Sequence, residues 1–295
     1  MLKIGSHVSL GGTDMYLGSV KEAISYGANC FMVYTGAPQN TIRRPITEMK
    51  IYEALKLMEE NNISSSDVVV HAPYIVNLAN PDYEKRNFAI SFLTEEIIRT
   101  SKMHIPQIVL HPGNAIGGNL DEAINWIADG INKIHFNTRN TNVSISLETM
   151  AGKGTEVGKT FEEIKKIIEL VNNKSRISVC FDTCHTNDAG YDIMGNFDMV
   201  INEFDRIVGK KFISVFHIND SKNKLGDKKD RHANLGFGEI GFDALLKIIY
   251  HPDFEEIPKI LETPYVSEIP PYKYEIKMIR EAVFNPNLMD DILNQ

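Results

Sequence analysis

The chain has 295 residues, 43% of them hydrophobic and 24% charged, and that length suits one eight-stranded α/β barrel, for which ~250 residues is typical. No window approaches the ~18 consecutive apolar residues of a membrane span, and residues 1–7 lack the basic-then-apolar pattern of a secretory signal, so a cytoplasmic protein without a membrane partner is expected. The formal net charge of -8 argues against indiscriminate polyanion binding, and Cys30, Cys180 and Cys184, with no Cys-x-x-Cys spacing, argue against a disulfide framework.

In chain order, short apolar, β-branched runs predict strands at 2–7, 29–34, 66–71, 106–111, 143–148, 177–182, 212–217 and 257–262. Runs such as Val68-Val69-Val70 lack polar alternation, as expected of parallel strands covered by helices. Between them, apolar stripes predict helices that face a core: Met49, Tyr52, Leu55 and Met58, then Leu120, Ile124, Ile127, Ile131 and Ile134, then Phe161, Ile164, Ile168 and Val171. Thr160 and Glu163 form a capping box at the start of the last. No low-complexity tract or linker divides the chain, so residues 1–295 are read as a single domain. Its expected architecture is an α/β (β/α)8 TIM barrel.

The residue that ends each run carries the chemistry. Seven runs finish on His7, His71, His111, Glu148, Asp182, His217 and Glu262, whereas the second ends differently, at Tyr34-Thr35. In a closed parallel barrel the carboxyl ends of all strands lie on one face, so these side chains converge. Acids and imidazoles gathered without a cation would repel or be desolvated, which a divalent ion relieves. The mixed His/Asp/Glu set suits zinc. His185, just past Asp182, and Asp230 with His232 add donors. At about three protein ligands per open ion, the set serves three ions rather than one. Any one of these residues alone is more simply a loop or capping residue; their joint placement points to a metal centre. His104, His135 and His251 fall outside the pattern and are read as surface residues, and Trp126 as helix packing.

The stretches Gly5-Ser-His-Val-Ser9, His71-Ala-Pro-Tyr74, His111-Pro-Gly113, Leu147-Glu-Thr-Met-Ala-Gly152, Phe181-Asp-Thr-Cys-His185, His217-Ile-Asn-Asp220, Asp230-Arg-His-Ala-Asn-Leu-Gly236 and Leu261-Glu-Thr-Pro264 resemble those of the endonuclease IV family. The likeness runs from residue 3 to residue 282. It implies a barrel with three zinc ions at the carboxyl face, manganese being an alternative at one or more positions. His71, His111 and Glu148 would hold one ion, Glu148, Asp182, His217 and Glu262 a second, and His185, Asp230 and His232 a third. It further implies a zinc-dependent hydrolase, monomeric, that cuts double-stranded DNA 5′ to abasic sites. The products would be a 3′-hydroxyl and a 5′-deoxyribose phosphate, and blocked 3′ ends would also be cleared. Glu148 and Glu262 would fix a hydroxide nucleophile bridging two ions.

In the family, loops after strands two and three enter the minor groove. The matching positions here are Gln39, Asn40, Tyr74 and Ile75, with Tyr74 and Ile75 as the wedge, unless both are simply core. His7 and Arg231 join them as expected DNA contacts, Arg231 because it sits between two ligands. The Gly36-Ala-Pro-Gln-Asn40 loop departs from the arginine-bearing version of some members. Arg43, Arg44, Lys222, Lys224, Lys228 and Lys229 supply local positive charge. Two rivals stand beside this reading. A sugar isomerase or epimerase of the xylose isomerase-like barrels would use the subset Glu148, Asp182, His217 and Glu262, leaving His71, His111, His185, Asp230 and His232 without a task. A zinc-buffering or lesion-marking protein would have no need of open coordination positions.

Overall fold

In the computed structural model residues 2–294 are described; Met1 and Gln295, the ends of the expected single domain, lie outside the described residues. The eight expected runs form strands β1 (Ile4–His7), β2 (Cys30–Val33), β3 (Val68–His71), β4 (Gln107–Leu110), β5 (Ser144–Glu148), β6 (Ile177–Asp182), β7 (Ile213–Ile218) and β8 (Lys259–Leu261). They close a parallel barrel in sequence order, with β1 against β8 and Gly5 opposite Ile260. A Cβ at Gly5 would overlap the Cys30 carbonyl of β2, so the closure of β1 on β2 requires glycine there.

The barrel interior is stacked in layers. Gln107, Ser144, Ser146, Ser178 and Ser214 form a polar network, with Ser214 Oγ donating to Gln107 Oε1 at 2.7 Å and lying 3.0 Å from Ser146 Oγ. Cys30, Met32, Val69, Val109, Cys180, Val215 and Ile260 make an apolar plug. Side chains alternate along a strand with a period of two, so the residues two positions past the plug share its interior face. They are Tyr34, His71, His111, Asp182, His217 and Glu262, and Gly5 and Ser146 project forward in the same way to His7 and Glu148. The site is thus the next layer of the barrel core.

Helices α1 (Met15–Ser25), α2 (Ile51–Glu60), α3 (Tyr83–Lys102), α4 (Leu120–Asn137), α5 (Phe161–Leu170), α6 (Thr183–Ala189), α7 (Ile193–Ile207), α8 (Phe242–Ile249), α9 (Tyr272–Glu281) and α10 (Leu288–Leu293) surround the strands. The α4 and α5 stripes pack inward as expected, apart from Leu120 at the start of α4, which is exposed. The first stripe holds at Met49, Leu55 and Met58, which pack on the core, but fails at Tyr52. Lys50 adopts φ 51°, which breaks the register between Met49 and the helix that starts at Ile51. Ala54 and Met58 are therefore the buried residues of α2, and Tyr52 is 78% exposed. Thr160 Oγ1 caps Glu163 N as expected, but the Glu163 carboxylate reaches further back, accepting from Gly158 N at 2.7 Å and Lys159 N at 3.3 Å.

His104 is exposed, but His135 is buried and His251 half-buried, against the surface reading. His135 lies on the inner face of α4 beside the buried Arg176, whose guanidinium donates to His135 O at 3.2 Å. His251 Nδ1 accepts from Asp253 N, and its Nε2 lies 3.2 Å from Asp198. Trp126 packs as expected, under the Arg86 guanidinium. Two small two-stranded antiparallel sheets were not legible in the sequence: residues 113–114 pair with 156–157, and 220–221 with 232–233. The second carries His232 to the mouth. The three cysteines are buried and unpaired, as expected. No described helix is long and apolar enough to cross a membrane.

Candidate metal centre

Glu148 ends β5 at the middle of the mouth and is 1% exposed. Its Oε2 lies 3.2 Å from both His71 Nε2 and His111 Nε2, and its Oε1 lies 3.1 Å from His217 Nδ1 and 3.2 Å from His185 Nδ1. Four imidazoles thus surround one carboxylate. His217 Nδ1 also approaches Glu262 Oε2 at 2.9 Å and Asp182 Oδ2 at 3.9 Å. At one side, His185 Nε2 lies 3.1 Å and His232 Nε2 3.5 Å from Asp230 Oδ1.

The donors fall into compact groups. Glu148, Asp182, His217 and Glu262 offer atoms all within 4.8 Å of one another, as do His185, Asp230 and His232. These match the second and third sets that the family resemblance implies. For the first, His71 and Glu148 group with His217, while His111 sits at the rim of the cluster, on the same Glu148 oxygen as His71. Cys184, which the sequence reading left out, groups with Asp182 and His232.

Backbone and side-chain partners hold the imidazoles in place. His71 Nδ1 lies 2.7 Å from Ala72 O, His185 Nδ1 3.0 Å from Thr149 O, and His232 Nδ1 3.2 Å from Glu262 O. Each bond turns the ring's other nitrogen into the cluster, the usual arrangement of a ligating histidine. Asn219 donates to Asp182 Oδ2 at 2.8 Å and accepts from Glu262 N at 2.9 Å, so one amide ties two of the carboxylate-bearing strand ends together. It lies in the His217-Ile-Asn-Asp220 motif but carries no charge, which is why reading for ligands passed over it. Asp182 caps α6 by accepting from His185 N at 2.6 Å, so one carboxylate serves the helix start and the cluster.

The electrostatics of the group are those of a cluster that expects a cation. Burial would raise the Glu148 carboxyl, but His217 and His111 outweigh it and hold it well below the usual range. Burial lowers His185 and His217, yet the surrounding acids, with Cys180 beside His217, hold both well above theirs. Burial raises Asp182, against the pull of His185 and His232. Among the described residues, His232 Nε2 is buried and makes no hydrogen bond. A buried nitrogen without a partner, aimed at two acids and another imidazole, fits a bound divalent ion.

A cavity of about 420 Å³ opens beside the cluster, lined by His7, Leu10, Tyr34, Pro38, Tyr74 and Glu262 among others. Tyr34, the strand end that seemed to break the pattern, packs its ring 5.2 Å from His7 and 5.0 Å from His71, and its hydroxyl lies 3.1 Å from that of Tyr74. Tyr74 is 60% exposed and Ile75 half-buried, so neither is core in the sense of the simpler reading. Gln39, Asn40 and Arg231 are exposed, as are Lys222, Lys224, Lys228 and Lys229. Arg43 is not available as surface charge: its Nε pairs with the buried Glu96 at 2.8 Å, and its side chain is 9% exposed. Arg44 pairs with Glu48 at 3.1 Å on the surface.

Residues 20–282 match the model of the xylose isomerase-like TIM barrel family. A protein of Acholeplasma laidlawii named "Probable endonuclease 4" is 64% identical over 98% of each chain, and one of the same name from Bacillus licheniformis is 53% identical over all of both. The solved endonuclease IV from Thermus thermophilus superposes with a TM-score of 0.81 at 28% identity, over 95% of this chain and 98% of that one. A D-tagatose 3-epimerase-like protein superposes at 0.70 with 16% identity, over 99% of each chain, a likeness of fold alone. The chain belongs to the endonuclease IV family within the xylose isomerase-like TIM barrels.

Proposed function

We propose that this chain hydrolyses the backbone of double-stranded DNA 5′ to abasic sites, leaving a 3′-hydroxyl and a 5′-deoxyribose phosphate, and that it also clears blocked 3′ ends. It would act as a monomer, in the cytoplasm. The observation that supports this best is a pair of compact donor groups, one around Glu148 and a second of His185, Asp230 and His232, at the mouth of one barrel. By match to the family pattern, His71, His111 and Glu148 would hold one zinc ion, Glu148, Asp182, His217 and Glu262 a second, and His185, Asp230 and His232 a third, with manganese as an alternative. The chemistry such a site would supply is a water whose pKa is lowered toward ~7 and a partly neutralised phosphate.

The side chains supply the geometry. Glu148 and Glu262 flank His217 Nδ1 at 3.1 and 2.9 Å, so two carboxylates would orient the attacking water in line with the scissile bond. Asn219 keeps the Asp182 and Glu262 strand ends at a fixed separation. His7 and Tyr34 wall the cavity beside Glu262, which would receive a sugar that lacks its base. The exposed Tyr74, with Ile75, would fill the gap in the base stack, and Gln39, Asn40 and Arg231 would contact the backbone around it. Wedging costs least where a base is already missing, which gives selectivity without reading sequence.

The group Glu148, Asp182, His217 and Glu262 alone would serve a sugar epimerase equally well. The separate His185, Asp230 and His232 group favours the phosphodiesterase, because transfer of protons on a sugar has no use for it. The test is a duplex carrying one abasic-site analogue beside an intact duplex, with metal content measured on the same sample. One cut, 5′ to the lesion, by protein holding about three zinc ions is the expected result. Fully loaded protein that leaves the lesion intact would overturn the reading.

A further inference from the structure

Asp230 and His232 of the third donor group are carried at the end of a segment with little regular structure. Residues 222–231 leave the small sheet at Ser221 and return to it at His232, and Lys228 and Asp230 both adopt left-handed backbone conformations, at φ 56° and 53°. Non-glycine residues hold such conformations only where surrounding contacts impose them. Here those contacts converge on one side chain. The Asp188 carboxylate, on α6 and fully buried, accepts from Ser221 Oγ at 2.7 Å, Asn223 Nδ2 at 2.7 Å, Asn187 Nδ2 at 3.2 Å and the Asp230 backbone N–H at 2.9 Å. The Asp188 and Asn187 carbonyls accept from Lys228 N and Gly226 N, each at 3.0 Å. The segment is therefore tied to α6 at its start, its middle and its end.

Asp188 is not in any of the donor groups. A buried carboxylate that faces only hydrogen-bond donors is costly to desolvate, and that cost is offset only while every donor stays in place. Its last donor is the amide of Asp230 itself. His185, on the same helix three residues earlier, is the member of the group that α6 carries, and Asp188 brings the members carried on the irregular segment to it. Resting on the metal-centre reading above, we infer that Asp188 is a positioning residue for the His185, Asp230 and His232 ion site. It fixes the backbone of Asp230 and the path of the chain to His232 without touching the ion.

Asp188→Asn is the direct test. Each Asp188 oxygen receives two donors, so an amide group in place of either oxygen turns an acceptor into a donor facing two donors. Zinc per chain is measured by elemental analysis after dialysis against graded concentrations of a zinc chelator. The expected result is that one ion leaves at 10–100-fold lower chelator concentration than in the unaltered protein, roughly the loss typical of removing a ligand's outer support. The other ions should leave where they did before. A merely structural role would lower the melting temperature and weaken all the ions together. Should Asp188→Asn fail to fold, Asn223→Ala removes one donor from the same carboxylate, and the same single ion should weaken by a smaller factor. If the folded variants retain every ion as the unaltered protein does, the inference is overturned. Unaltered protein that binds no zinc would overturn the metal-centre reading, and the inference with it.

Discussion

At the scale of single residues, the carboxylate closest to His217 should separate binding from chemistry. Glu262 directly follows β8 at the wall of the cavity, where its side chain is largely shielded and its Oε2 lies 2.9 Å from His217 Nδ1. Glu262→Gln keeps the shape and the bond from Asn219 but removes the negative charge that would orient water. Cutting is expected to fall by ~10²–10⁴, while binding of a lesion-containing duplex, measured by fluorescence anisotropy, changes little. Cutting at the normal rate would refute the role given to Glu262. A second residue reports on folding. The buried Glu275 accepts from Thr263 Oγ1, from Leu235 N at 3.0 Å and from Asn234 Nδ2 at 3.2 Å. Burial pushes its carboxyl up to about 7 against those bonds, from an ordinary 4.5. Between those two values the folded chain keeps a proton that the unfolded chain has lost, so this group makes stability fall as pH rises through the window, by up to ~1.4 kcal/mol per unit. Glu275→Gln retains the acceptor for Leu235 and Asn234 and donates to Thr263. It should therefore raise the urea midpoint at pH 8 and leave it nearly unchanged at pH 4.5; an equal change at both pH values would rule out the ionisation as the cause.

At the scale of elements, the loop after β2 shows how much of this chain depends on contacts that a linear pattern does not display. Arg43 reads as surface charge, yet its guanidinium lies 5.0 Å over Phe92, pairs with Glu96 of α3, and donates to the carbonyls of Asn40 at 3.1 Å and Ile42 at 2.9 Å. Thr35 donates to the same Glu96. The loop that presents Gln39 and Asn40 is thus wound around an internal ion pair. Arg43→Lys keeps the charge but cannot reach Glu96 and two carbonyls at once. Losing charge-assisted bonds of ~1.5–3 kcal/mol each should weaken lesion binding about tenfold with zinc content unchanged; an unaltered dissociation constant would show that the loop needs no such anchor. The same loop explains what the sequence leaves unread. Strand ends were legible because a buried parallel strand leaves a dense run of β-branched residues, and the period of two then carries the acid or imidazole at each of those ends to the mouth. Tyr34 follows that period but is not ionisable in the acid range, so a search for ligands set it aside. Tyr52 failed for the opposite reason: its spacing was right, but Lys50 in a left-handed conformation shifted the helix beneath it. Asn219 and Asp188 act chiefly through hydrogen bonds to partners 33 or more residues away, and nothing local to either residue marks those partners.

At the scale of the whole molecule, the question is whether the metal centre holds the barrel together or the barrel holds the metal centre. The site layer rests on an apolar plug of residues from six strands, and the outer core between strands and helices is built from aliphatic and aromatic side chains far from any ligand. A small domain whose fold is its metal site has no such core and unfolds when the ion is removed. Here the acids and imidazoles also neutralise one another: the Glu148 carboxylate lies among four imidazoles, and the surrounding acids raise the pKa values of His185 and His217 well above the ordinary imidazole range. Without ions the cluster is a buried set of charge-assisted bonds rather than a set of bare charges, so chelation should leave the barrel folded and less stable. An ion present at about 100 times its dissociation constant adds ~2.7 kcal/mol to stability, which at roughly 2 °C per kcal/mol for a chain of this size is about 5 °C of melting temperature for each ion. Dialysis against a strong chelator should therefore lower the melting temperature by about 5–15 °C while the far-ultraviolet circular dichroism at 25 °C stays the same, and zinc added back should restore the transition. Loss of the helical signal on chelation would mean that the ligand layer, and not the plug beneath it, closes the barrel.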